Sequence, residues 1–164
     1  MKKYISGLCI VLVLWVIALP ASGAPAHDGG AAFKDIEETE WMLTEYVSAG
    51  KTVRLDRPKI EAEMGKIYVI YFLEEGRLSG IGAPNRFNAP YSEGANRSLS
   101  IGNIASTMML AFREPDDLKE RDYFGYLSGV TRWDLRDGRL ELYSIDANGT
   151  ETVLVFSSEK GDLS

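Results

Sequence analysis

A chain of 164 residues with 45% hydrophobic and 10% aromatic content has the material for one globular domain with a sizeable core, and not for two. Its formal charge of −6, without a basic stripe, argues against nucleic acid as a partner and against attraction to anionic lipid head groups. A single histidine, His27, and a single cysteine, Cys9, both close to the N-terminus, leave no material for Ser-His-Asp or Cys-His catalysis and little for a transition-metal site.

The first 26 residues read as a secretory signal. Lys2 and Lys3 supply the positive start, Leu8 to Leu19 form an unbroken apolar run of 12, Pro20 breaks any helix, and Ala24-Pro25-Ala26 offers a small-x-small cleavage site. That run falls short of the roughly 20 apolar residues a spanning helix needs. Cleavage would remove Cys9 and both lysines but no acid, taking the formal charge to −8. No cysteine follows the signal to carry a lipid, so the expectation is a soluble exported protein, periplasmic or secreted, with no membrane insertion after signal removal. The alternative is an uncleaved N-terminal anchor.

Residues 27–40 read as a flexible lead-in, Gly- and Ala-rich at first and then acidic at Asp35, Glu37, Glu38 and Glu40. A solvated segment or short helix fits those acids better than a cation site, because no glycine-punctuated loop of oxygen ligands is present. Trp41 to Val47 alternates as a strand, Gly50 turns the chain, and Thr52 to Leu55 makes a short partner that Pro58 ends. Residues 60–65 carry no clear signal. Ile67 to Leu73 is the most β-prone run of the chain, apolar on both faces. Glu74-Glu75-Gly76 then predicts a hairpin turn into Arg77–Gly82.

Gly80 and Gly82 leave one face of that returning strand without side chains, which permits close approach of another element. Asn85-Arg86-Phe87 follows. The asparagine amide suits loop fixation and the phenylalanine ring suits a core plug, although Asn85 and Arg86 could also form a polar recognition pair. Residues 88–97, with Pro90, Gly94 and Asn96, are expected to be a long polar loop, and Leu99 and Ile101 restart alternation. Thr107-Met108-Met109 brings adjacent thioethers, which fill irregular core gaps more often than they line a pocket or a soft-metal site. Pro115 to Leu127 is the helix candidate, with Asp116 and Asp117 at its positive end. Val130–Arg136 and Arg139–Tyr143, joined at Asp137-Gly138, predict a hairpin. Asn148-Gly149 turns the chain into a last strand, Thr152–Phe156, ahead of a polar tail at 158–164.

The Gly80-to-Phe87 stretch and the Ile-Ala-Ser-Thr-Met-Met run at 104–109, flanked by Trp41-Met-Leu and Val153-Leu-Val-Phe, resemble the META domain family (HslJ-like) over residues 41–157. The resemblance implies a predominantly β, α+β fold: a strongly curved antiparallel sheet or small partly open barrel with one packed helix. The coarse count of about six to eight strands agrees. It marks Gly80, Asn85, Arg86, Phe87, Thr107 and Met109 as the family motif, structural in role. It also implies links to stress tolerance or secretion. This chain departs from the family pattern where many members carry cysteines, here Pro84 and Ala111, and where the arginine after the threonine is Met108.

With no phosphate loop, catalytic histidine or thiol, only carboxylate pairs could support chemistry, and of the clustered Asp116, Asp117, Glu120 and Asp122 three fit an exposed helix start instead. The expectation is therefore no enzyme and no cofactor. An envelope scaffold or interaction module is favoured, with a protein partner contacted by Tyr91 and Arg97 of the 88–97 loop. The alternative is a carrier of a small apolar ligand or lipid inside the curved sheet. Intact-mass measurement of chain recovered from the envelope or medium of producing cells should find a mature protein beginning near Ala24 or His27. A full-length chain held in the membrane would refute export by cleavage.

Overall fold

The structure, a computed structural model, describes residues 31–109 and 114–158. The expected signal segment with Cys9, the start of the lead-in with His27, Ala111 and the tail beyond Ser158 lie outside the described residues. Among the described residues ten strands occur in chain order: β1 Trp41–Ser48, β2 Lys51–Arg54, β3 Val69–Leu73, β4 Arg77–Ile81, β5 Arg86–Glu93, β6 Leu99–Ile101, β7 Ala105–Ser106, β8 Val130–Arg136, β9 Arg139–Ile145 and β10 Glu151–Ser157. Two helices interrupt them, α1 Arg57–Met64 and α2 Glu120–Ser128.

Eight strands form one antiparallel path in the order β6-β5-β4-β3-β1-β10-β9-β8, while β2 pairs with β1 and β7 with β5. The path curls until its two ends lie side by side, bridged at Ser98 and Arg132. The fold is thus a nearly closed antiparallel barrel with two helices, as the resemblance implies in class. Among the described residues it has one helix more than expected.

That extra helix, α1, occupies the segment whose sequence gave no clear signal. Pro58 does not merely end a strand: it sits in the first turn of α1, where its missing N–H costs nothing, and Asp56 caps the helix by accepting the Lys59 N–H at 3.2 Å. α2 begins at Glu120 rather than Pro115. Residues 115–118 instead form a bent, non-helical segment, tied down by Tyr46 Oη on the Asp117 carbonyl at 2.7 Å and Tyr68 Oη on the Leu118 carbonyl at 2.6 Å. β3 starts two residues late because Tyr68 takes a left-handed backbone angle of φ 54° that no strand residue can hold. The Asp137-Gly138 turn is as expected, both residues having positive φ, 50° and 72°, in a two-residue hairpin.

Two further expectations change. The stretch 88–97 is not a loop: Arg86–Glu93 is a strand with Phe87, Ala89 and Tyr91 turned inward, and only 95–97 form a tight turn. Nor is the lead-in free of the domain throughout. Phe33 and Ile36 are buried, the Trp41 indole N–H donates to the Ile36 carbonyl at 2.9 Å, and the Phe33 ring meets Phe72 and Trp133 edge-on, each at 5.3 Å. These rings join Leu43, Ile70, Leu140, Leu142, Leu154 and Phe156 in one continuous core that fills the barrel, as side chains do in small barrels. α2 closes one end with Tyr123 and Leu127, both fully buried, the Tyr123 ring lying 4.9 Å from Tyr68.

Burial pushes the phenols of Tyr68 and Tyr123 well above their ordinary range, and burial together with a hydrogen bond to Glu37 does the same for Tyr91. In the unfolded chain these groups ionise near pH 10. The unfolded state therefore binds fewer protons than the native state above that pH, and stability must fall as pH rises through it. Denaturant midpoints measured from neutral pH to beyond pH 10 should hold at first and then drop, with tyrosinate absorbance appearing together with unfolding rather than before it.

Candidate functional site

The family-motif residues meet at one end of the barrel, around the short connection from β4 to β5. Asn85, only 7% exposed, is the centre. Its Oδ1 accepts the Thr107 hydroxyl at 2.8 Å and the Met109 backbone N–H at 2.7 Å, and its Nδ2 donates to Glu120 Oε2 at 2.6 Å and the Met109 carbonyl at 3.3 Å. The other Glu120 oxygen accepts the backbone N–H groups of Ala83 at 2.5 Å and Asn85 at 2.7 Å. One carboxylate at the start of α2 thus clamps the turn, whose Ala83–Pro84 bond is cis, while the asparagine ties in the strand-end 107–109. Hydrogen bonds to a charged group are the stronger kind, which makes this clamp a substantial local contribution.

The two glycines make room for it. A Cβ on Gly82 would fall inside contact distance of Glu120 Oε1 and Phe124, and one on Gly80 would strike the Val69 carbonyl and the Phe87 ring. Phe87, 1% exposed, lies over Gly80 and packs edge-on against Phe124 at 5.1 Å and Tyr123 at 6.3 Å. Thr107 also holds the strand start, accepting the Arg86 N–H at 3.2 Å and donating its own N–H to the Arg86 carbonyl at 3.0 Å. The Arg86 side chain is exposed.

Glu120, one of the four acids that cluster in the sequence near the expected helix start, is therefore the anchor of the motif. No local signal could have found it, since it lies 35 residues from Asn85.

Tyr91 and Arg97 are not where a partner could use them. The Tyr91 ring is buried, with Oη 2.8 Å from Glu37 Oε1 and 3.0 Å from the Leu73 carbonyl. Arg97 pairs with the buried Asp134, packs over the Trp133 ring with its guanidinium 5.2 Å from the centroid, and keeps a side chain only 22% exposed. Asp134 also accepts Arg136 Nε at 2.7 Å and the Leu135 N–H at 2.9 Å. Arg97 thus clasps the seam between β6 and β8.

The methionines also differ from expectation. Met108 is 97% and Met109 60% exposed, so neither fills the core, and with Ile145 they are the large exposed hydrophobics among the described residues. The acids scatter to separate partners: Asp35 accepts the Ala32 N–H, Glu37 faces Tyr91, and Glu40 pairs with Lys66 and Tyr71. Lys66 and Tyr71 together hold the Glu40 carboxyl below its ordinary range, outweighing the opposing effect of burial, which is the largest single influence on it. Among the described residues no three His, Cys, Asp or Glu side chains converge as metal ligands. An outer cleft of about 620 Å³ runs between α1 and residues 114–117, floored by Ile60, Met64 and Pro115 and rimmed by Asp56, Glu63 and Asp116.

Denaturant unfolding should assign the clamp to stability. Asn85→Ala should cost about 1–3 kcal/mol and Glu120→Gln about 1.5–3, and Phe87→Ala about 3–5. The Asn85/Glu120 double variant should lose less than the two single losses combined, because each residue serves the same network. Strictly additive losses would show that the two act separately.

No curated protein sequence matches the chain. In shape it is similar to a protein from Burkholderia xenovorans solved by NMR, with a TM-score of 0.58 at 20% identity over 88% of this chain and 99% of that one. A crystal structure of a DUF4847 family protein from Bacteroides vulgatus is similar at a TM-score of 0.49, 11% identical over 76% of this chain and 94% of that one. The first likeness is one of fold. A META domain family model matches residues 34–160, which spans the barrel from the lead-in to the last strand and takes in the whole Asn85 clamp; the chain belongs to the META domain family.

Proposed function

We propose that this chain is an exported META-domain protein of the cell envelope that works without catalysis, as a scaffold to which another envelope or secreted protein docks. The observation that carries this reading is the presentation of Met108 and Met109. Two adjacent apolar side chains stand in solvent on a main chain that the buried Asn85 amide holds in place. Exposed apolar groups on an ordered backbone suit contact with a partner, whereas their solvation contributes nothing to the fold. Tyr91 and Arg97 are committed inside the domain, so the contact surface belongs at the 107–109 strand end rather than on 88–97.

The packed interior favours this scaffold role over a carrier of apolar ligands or lipid. The side chains that would line such a cavity are the core itself, and the cleft beside α1 lies outside the sheet. Export rests on the leading residues: a positive start, a 12-residue apolar run and a small-residue cleavage site.

Affinity capture from envelope extract tests the reading. The mature domain should enrich a defined protein, and the Met108→Ser/Met109→Ser variant, with unchanged melting, should lose it. Equal recovery by both forms, or co-purification of a lipid with the wild-type domain, would overturn the proposal.

A further inference from the structure

We propose that Met108 and Met109 form a reversible oxidation site, a pair of thioethers that a two-electron oxidant of the peroxide class converts to sulfoxides without disturbing the fold. Susceptibility of methionine follows exposure of its sulfur. At 97% exposure Met108 makes almost no contact with the domain, and Met109 is 60% exposed. The other two methionines beyond the expected signal, Met42 and Met64, are half-buried, and Met64 packs against the core. The single thiol of the chain, Cys9, lies in the segment expected to be removed on export, which leaves these sulfurs without a faster-reacting competitor.

The chemistry is a balanced oxygen transfer. A sulfur lone pair attacks one peroxide oxygen, the S–O bond forms as the O–O bond breaks, and the departing hydroxide takes the proton of the transferred oxygen to leave as water. Sulfur is oxidised by two electrons and the peroxide is reduced by two. The thioether becomes a polar, chiral sulfoxide that methionine sulfoxide reductases return to methionine.

The geometry explains why this change stays local. The domain's hold on this segment is through main-chain atoms: Asn85 Oδ1 on the Met109 N–H, Asn85 Nδ2 on the Met109 carbonyl, and the Thr107 hydroxyl on Asn85 Oδ1. None of these groups is altered when sulfur gains an oxygen. What changes is the surface: an apolar pair becomes a polar pair on the same fixed backbone.

Graded hydrogen peroxide on the purified mature protein, followed by peptide mass mapping, tests the inference. Met108 and Met109 should each gain about 16 Da and react several-fold faster than Met42 and Met64. The melting temperature should not move at the dose that converts only this pair, and retention on a hydrophobic-interaction column should shorten. A Met108→Gln/Met109→Gln variant should show no such shift in retention at that dose, and reductase treatment should restore the wild-type elution. Conversion of all four methionines at equal rates would overturn the inference. So would a fall in melting temperature when only this pair is oxidised, or unchanged retention after its oxidation.

Discussion

The barrel end depends on a carboxylate that does not touch water freely. Glu120 receives three hydrogen bonds from a four-residue turn, and through Asn85 it is linked to a second strand end 24 residues further along the chain. An amide side chain buried at this depth needs its donors and acceptors matched, since leaving one unpaired costs more than the bond itself is worth. Asn85 has all four of its side-chain contacts filled, two as acceptor and two as donor. This explains why a helix, a tight turn and a short strand that share no local sequence logic sit together. It also explains the glycines: close approach of Glu120 and Phe87 is possible only where no Cβ intervenes.

The far side of the barrel solves a different problem. A sheet that almost closes leaves two edges facing each other, and an open edge invites pairing with other chains. Here β6 and β8 lie side by side, bridged just ahead of β6 by Ser98 and Arg132 and reinforced by Arg97 reaching Asp134 and lying against Trp133. The guanidinium satisfies a buried acid and covers an indole at once, a combination for which arginine is suited and lysine is not. The aromatic core, anchored by Phe33 from before the first strand, supplies the apolar wall behind that clasp.

How much of this was legible in the chain follows from where the determining contacts lie. Hairpin turns announce themselves locally, so Asp137-Gly138 and the pairing on either side of it could be read directly, as could the β-rich run that became β3. Helix α1 could not, because only Ile60 of its eight residues is buried and neither helical nor strand periodicity stands out; its cap and its packing decide it. β5 was hidden by outward-facing Asn88, Pro90 and Ser92, turn-forming types that disguise a regular inward alternation of Phe87, Ala89 and Tyr91. The roles of Glu120, Asp134 and Arg97 were invisible for a simpler reason: each is defined by a partner tens of residues away. Methionine misled in the opposite direction, since a residue type that usually fills gaps stands in solvent at Met108 and Met109.

The pairing of β1 with β10 sets the order in which the molecule can exist. Thr44 donates its hydroxyl to the Val155 carbonyl across 111 residues, and β1 is flanked from Met42 to Ser48 by the last strand of the domain. Until residues 151–157 are available, β1 has only the four-residue β2 and the first residues of β3 beside it, and the sheet lacks the strand that joins its two halves. Contacts of such separation form late, after most of the entropy of closing the chain has been lost. A polypeptide built this way stays short of its native barrel while its C-terminal part is still leaving the ribosome.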